Sequence, residues 1–445
     1  MKKKNRYAKA STASRRSGTG RARRQRQLVC ALVCLLLCAA AGFVGFTKVA
    51  KTEKKTIVLP TPTPTVKVTD LRGEETSLAM PYELYTERYT RDLTPDDVWM
   101  EDFDDTRVRR NIKGLYLTAE VLNKKFDEIM NLIDTTEINA VVFDIKNDDG
   151  SITVKVESPL LNEKGNTKHI LIQNLPALLA KLKAKNIYCI ARVVCFRDIW
   201  TVRTTPEFAV HMPDGSIMKD KSGYTWMNPF NHDVWEFLAE FGREAARMGF
   251  DEVNFDYCRF STDSKVKEAD YGVELTKENK EGAITGFVRY LSEQLKPLGV
   301  FVSVDVFGVV LSSEMDAAAV GQNYADMCSY IDYICPMVYP SHYGNGYYNL
   351  KVPDAFPYEL IYNAMLDSKK ILAPNMAKGR CAEVRPWLQA FTASWVKGHI
   401  EYGAKEMDDQ IRGTYDAGYT GWLLWNASGA YAVYKDALGT AEGKE

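Results

Sequence analysis

Histidine is scarce in this sequence. There are five in 445 residues, His169, His211, His232, His342 and His399, and no two share a His-x-x-x-His or comparable spacing. A zinc-dependent hydrolase or deacetylase is therefore disfavoured, and neither metal nor other cofactor is expected. The chain has no Gly-x-Ser-x-Gly, so a serine-hydrolase elbow is absent. It has no Gly-x-Gly-x-x-Gly and no P-loop, which leaves nucleotide binding without support. Nine cysteines include no Cys-x-x-Cys. Cys30, Cys34 and Cys38 lie in an apolar run, where thiols pack as small hydrophobes. Cys189, Cys195, Cys258, Cys328, Cys335 and Cys381 show no framework spacing and are expected as free buried thiols.

The net charge of −1 hides an asymmetry. Residues 1–27 carry eleven basic residues and no acid, leaving 46 basic against 58 acidic residues downstream. An acidic body argues against nucleic acid as a partner. Leu28 to Phe46 follows without a charge and is long enough to cross a hydrocarbon core. The basic leader predicts a cytoplasmic tail, 28–47 a transmembrane anchor, and the C-terminal body an extracellular location. The rival is a cleaved signal peptide, with Ala39-Ala40-Ala41 as its small-residue site. Residues 48–65 form a linker whose Pro60-Thr-Pro-Thr-Pro64 reads as a polyproline II spacer. Residues 66–110, polar and acidic with scattered aromatics, read as a lead-in to the main domain.

From Asn111 to about residue 440 strand-like and helix-like stretches alternate. The expected strands are Ile112–Thr118, Asn139–Lys146, Ile187–Val194, Glu252–Cys258, Val300–Phe307, Asp332–Tyr339, Trp387–Thr392 and Gly421–Trp425. Expected helices include Lys124–Thr135, Leu175–Lys185, Val234–Met248, Gly282–Leu295, Pro357–Asp367 and Lys405–Ala417, with a short apolar stretch at Ile371–Pro374. Eight such units predict an α/β fold, a (β/α)8 TIM barrel, with a doubly wound open sheet as the rival.

The centre of this pattern is Gly249-Phe-Asp-Glu-Val-Asn-Phe-Asp-Tyr-Cys-Arg-Phe260. Gly249 stops the preceding helix, and the period-2 alternation places Asn254 and Asp256 on one face, with Asp256 at the strand end. Other strand ends offer Asp144 and Lys146, Arg192, Ser303 and Asp305, Met337 and Tyr339 with His342 beyond, Gln389, and Trp425 with Asn426. Ionisable groups at such depths cost several kcal/mol unless paired, so their convergence at one end is the pattern of a site. Two carboxylates on adjacent strand ends suit hydrolysis of a glycosidic bond, one ionised and one protonated. Asp256, beside Arg259 and Arg192, is expected as the ionised member. Asp305, between Val304 and Val306, is expected as the acid because desolvation raises its pKa. Asp144 is able to exchange roles with either. Asp144, Lys146, Arg192, Asn254, Arg259, Tyr339, His342, Gln389, Trp425 and Asn426 are the candidate substrate-binding residues. Trp200, Trp226, Tyr343, Trp387 and Trp422 read first as packing. Asn147-Asp148-Asp149-Gly150 reads as a turn rather than a cation site.

Several stretches together resemble a known family. They are Lys113-Gly-Leu-Tyr-Leu-Thr118, Phe143-Asp-Ile-Lys146, Ala191-Arg-Val-Val194 with Phe196-Arg-Asp198, the Gly249–Phe260 stretch, Val304-Asp-Val-Phe-Gly308, Pro336-Met-Val-Tyr-Pro-Ser-His342, Arg385-Pro-Trp-Leu-Gln389 and Gly421-Trp-Leu-Leu-Trp-Asn426. Eight motifs in order, spanning about Asn111 to Lys435, are similar to the bacterial putative glycosyl hydrolase barrel family, formerly a domain of unknown function. The resemblance implies a TIM barrel related to amylase-like glycosidase barrels, with a nucleophilic Asp at the end of strand four, where Asp256 stands. The strand-five acid in the amylase-like group is a Glu. Asp305 departs from it and has a shorter reach. The implied activity is hydrolysis of a polysaccharide. A catalytically silent carbohydrate-binding barrel of the cell envelope is the alternative.

Overall fold

The computed structural model describes residues 105–443 and two short strands, Lys67–Thr69 and Glu75–Ser77, paired antiparallel. The expected anchor at Leu28–Phe46, the Pro/Thr spacer and most of the lead-in lie outside the described residues. Among the described residues no helix is long and apolar enough to cross a membrane.

Eight parallel staves close into a barrel. They are β1 Lys113–Leu117, β2 Ala140–Lys146, β3 Tyr188–Val194, β4 Glu252–Asp256, β5 Phe301–Phe307, β6 Tyr333–Met337, β7 in two pieces, Glu383–Val384 and Trp387–Gln389, and β8 Trp422–Trp425. Each pairs with the next in sequence, β8 returns to β1, and Trp387 beside Met337 joins β7 to β6. Seven helices alternate with the staves: α1 Phe126–Thr135, α2 Leu175–Lys183, α3 His232–Met248, α4 Lys277–Leu295, α5 Tyr324–Cys328, α6 Pro357–Ala377 and α7 Ala404–Asp416. A 3-10 turn, Ala432–Ala437, follows β8. This is the (β/α)8 TIM barrel expected from the alternation.

Local chemistry explains the boundaries. Asn231 caps α3 by accepting from the Asp233 N–H, as a short polar side chain does for an orphan helix donor. Gly249, at φ 91°, ends that helix in the left-handed region, where a Cβ is penalised. Two differences from the expected boundaries involve proline. Pro386 interrupts the seventh stave, because proline cannot donate to a ladder, and splits it into its two pieces. Helix α6 runs on through Ile371–Pro374 to Ala377, with Pro374 inside. Near the end of a long helix proline forfeits one backbone bond, and buried Leu372 keeps that turn on the core.

Alternation along the staves sorts the core into two. Outward residues such as Phe143, Ala191, Phe255, Val304 and Leu424 pack under the helices. Inward residues, including Tyr116, Val142, Ile190, Phe301, Tyr333, Trp387 and Leu423, fill the barrel. At its N-terminal end the interior is plugged. Arg385 donates to both oxygens of fully buried Glu252, and Tyr188 and Ser303 hydroxyls add to the same carboxylate. Burying such a pair is favourable only when its remaining lone pairs are met, and four donors meet them here. Below the plug a cavity of about 430 Å³ opens at the N-terminal face, lined in part by Tyr333, Arg385, Cys381 and Tyr419.

Candidate active site

Along β4 three inward side chains rise through the barrel: Glu252 in the plug, Asn254 above it, and Asp256 at the C-terminal mouth. Directly after Asp256 the chain turns through Tyr257, a non-glycine residue at φ 54°. Left-handed backbone is costly for a bulky residue and collects at functional sites. Here it brings the Tyr257 N–H onto Asp256 Oδ1 at 2.6 Å.

Arg192 on β3 joins two carboxylates. Its Nη2 donates to Asp256 Oδ2 and its Nη1 to Asp144 Oδ1, both at 2.5 Å. Nη2 also reaches half-exposed Asp148 at 3.3 Å. The far oxygen of Asp144 accepts from the Tyr116 hydroxyl at 2.5 Å. Burial pushes the Asp144 carboxyl up, against the opposing pull of Arg192. Tyr116 stacks on Trp425 with centroids 3.9 Å apart and planes at 13°, and the Arg192 guanidinium lies 5.2 Å from the Trp425 ring. The planar fork of Arg192 is thus fixed at its tips by carboxylates and on its face by an indole, the contacts for which arginine is suited.

Asp305 on β5 is held differently. Its Oδ1 accepts from Asn254 Nδ2 at 2.9 Å and from Trp387 Nε1 at 2.7 Å. Burial first, and the charge of Asp256 second, push this carboxyl up to about 8. With two N–H donors on Oδ1, the proton belongs on Oδ2. The two carboxyls thus differ in their surroundings: Asp256 accepts from a guanidinium and a backbone N–H, and Asp305 is buried on two neutral N–H donors.

Of the expected site residues, Asp144, Arg192, Asn254, Asp256, Asp305 and Trp425 come together around this mouth. Tyr339 is buried among the inward side chains and meets exposed His342 edge-on at 5.2 Å. Lys146, the last residue of β2, is fully buried, paired with Asp198 at 2.7 Å and donating to the Val194 carbonyl. Gln389 is fully buried, donates to Asp354 and accepts from the Ser341 N–H. Asn426 donates to the Ala390 carbonyl and accepts from Ser428. These three tie loops to the barrel rim. Arg259 makes no ion pair with Asp256, although the charge of Asp256 still favours its protonated form. After the left-handed turn at Tyr257 its guanidinium lies 4.3 Å from the Phe307 ring, 4.9 Å from Tyr257 and 5.0 Å from Trp226, donating to the Phe260 carbonyl.

Sequence reasoning missed Tyr116 and assigned Trp387 to packing. Both point inward by the same alternation that located Asp256, so the period-2 signal contained them. Among the described residues no group of three or more His, Cys, Asp or Glu is placed to hold a metal ion.

Comparison with known proteins bears on this geometry. No curated protein matches the sequence. A hypothetical protein from Ruminiclostridium thermocellum shares 35% identity over 43% of this chain and 97% of its own, with a TM-score of 0.38. The PgaB glycoside hydrolase domain from Bordetella bronchiseptica is 12% identical over 74% of this chain and 99% of its own, with a TM-score of 0.52, a likeness of fold. The catalytic domain of β-amylase from Paenibacillus polymyxa is 12% identical over 75% of this chain and 96% of its own, with a TM-score of 0.43. The family model described as "putative glycosyl hydrolase domain" matches residues 114–431. That span holds all eight staves but for Lys113, with Asp144, Arg192, Asp256 and Asp305, and the chain belongs to the putative glycosyl hydrolase domain family.

Proposed function

We propose that this chain hydrolyses a polysaccharide outside the cell, with Asp305 as general acid and Asp256 as the carboxylate that stabilises or attacks the anomeric carbon. The observation that carries this reading is the asymmetry of the pair. Asp256 accepts from Arg192 and a backbone N–H, donors suited to a charged carboxylate. Asp305, desolvated, holds a proton to about pH 8. Asp305 Oδ2 donates that proton to the glycosidic oxygen as the bond to the anomeric carbon breaks. Asp256 faces the developing positive charge on the sugar, and water then adds to the anomeric carbon and returns a proton to Asp305. Arg192 fixes Asp256, and Asp144 with Tyr116 fixes Arg192. Trp425 offers an indole to the C–H face of a sugar ring.

Support for an anchored, extracellular placement comes from the sequence: nineteen uncharged residues behind eleven basic ones, the order expected of a cytoplasmic tail and membrane span. The test is incubation of the full chain in detergent with a panel of wall and capsule polysaccharides, read as new reducing ends. Release from at least one glycan by the wild type and none by Asp305→Asn is the expected result. Binding without release from any glycan points instead to a carbohydrate-binding barrel. Protease digestion of intact cells tests placement, since an outward-facing body is degraded.

A further inference from the structure

Tryptophan is kept from water almost everywhere in the described chain. Trp226, Trp235, Trp387 and Trp422 are buried, and Trp200 and Trp425 are half-buried. Trp395 differs: it is 40% exposed on the loop that follows β7, at the mouth end of the barrel. It is also not loose. It stacks on Phe391 with centroids 5.9 Å apart and planes at 21°. Phe391 in turn meets Tyr339 edge-on at 5.9 Å. Tyr339 is buried in the same inward cluster as Trp387, whose Nε1 donates to Asp305 Oδ1 at 2.7 Å. A continuous aromatic row thus runs from the carboxylate pair outward to an exposed indole.

An exposed large aromatic ring gives up hydrophobic stabilisation that a smaller or polar residue would not forfeit. A single exposed apolar side chain needs no explanation, but one stacked at the end of a row that begins at the catalytic carboxyls has a geometric context. Its free face is flat, apolar and held in orientation by Phe391. A pyranose ring presents axial C–H bonds on a flat face and hydroxyls at its edge, so it covers an indole while its hydroxyls stay in water.

We propose that Trp395, backed by Phe391, is a binding platform for a sugar ring of the same glycan whose scissile bond lies at Asp256 and Asp305, several residues along the chain from that bond. The substrate class is accordingly a polymer or long oligosaccharide lying across the β6–β7 side of the mouth. This platform rests on the hydrolase reading of the carboxylate pair.

The test takes the glycan that yields the most reducing ends with the wild-type full chain. KM and kcat on it are measured for Trp395→Ala, Trp395→Phe and a control at a remote exposed position, Val108→Ala. Loss of the stacked face is expected to raise KM about tenfold in Trp395→Ala, with kcat changing far less. Trp395→Phe recovers most of the loss, and Val108→Ala matches the wild type. An unchanged KM in Trp395→Ala, or an equal loss in the alanine and phenylalanine variants, overturns the platform and leaves the hydrolase reading standing. Failure of the wild type to cleave any glycan removes both.

Discussion

Replacing Asp305 with asparagine separates its chemical role from its structural one. The side chain is 2% exposed, and its Oδ1 takes hydrogen bonds from Asn254 and Trp387. Asparagine keeps that acceptor and places an NH2 where the protonated Oδ2 stands, so both donors stay satisfied. In the wild type, burial and the neighbouring Asp256 raise the carboxyl to about 8, whereas an unfolded aspartate loses its proton near 3.9. Between these values the folded chain binds more protons than the unfolded chain. This group's contribution to stability therefore falls as pH rises, by up to about 1.4 kcal/mol per pH unit. Asparagine has no such slope. From pH 6 to pH 8, Asp305→Asn is expected to gain about 2–3 kcal/mol on the wild type, read from urea melts at each pH. The same variant is expected to lose at least about a hundredfold in hydrolysis, the usual worth of a positioned acid. Parallel stability curves for the two proteins from pH 6 to 8 would refute the raised carboxyl. Retained hydrolysis would refute its role.

Three further outcomes follow from neighbouring contacts. Trp387→Phe removes a donor that holds the Asp305 pKa down, so the alkaline limb of the kcat–pH profile is expected to move to higher pH, at a stability cost of about 1–2 kcal/mol. Arg192→Met leaves Asp144 and Asp256 buried without their shared cation. A loss of about 3–5 kcal/mol is expected in chemical denaturation, together with loss of hydrolysis. Among the six body cysteines, only Cys381 is not fully buried, while burial lifts the Cys189 thiol to about 12. Timed alkylation with peptide mapping is expected to label Cys381 first and the other five only after unfolding.

The barrel was legible because each stave carries a period of two and each boundary its own punctuation, as Gly249 shows between α3 and β4. The carboxylates were legible because an acid in a run such as Val304-Asp-Val306 has no local reason to be there. What the sequence did not show is pairing across the ring. Trp387 and Asp305 lie 82 residues apart and meet only when β7 and β5 close around the same interior. Tyr116 meets Asp144 for the same reason, from β1. Arg259 is set among Trp226, Tyr257 and Phe307 rather than in an ion pair, because nothing local signals that Tyr257 adopts φ 54°. Gln389 and Asn426 sit at strand ends as expected, yet their polar atoms are taken up by Asp354, Ser341, Ala390 and Ser428. Alternation gives the height of a side chain in the barrel, not what already occupies its hydrogen bonds.

The plug of Glu252 and Arg385, with the ring of Tyr188, Phe301 and Tyr333, stoppers the staves from below. A long chain cannot be threaded through a vessel closed at its base. If the proposed hydrolysis holds, a glycan is draped over the lip, touched at one point, and let go on the side it came from.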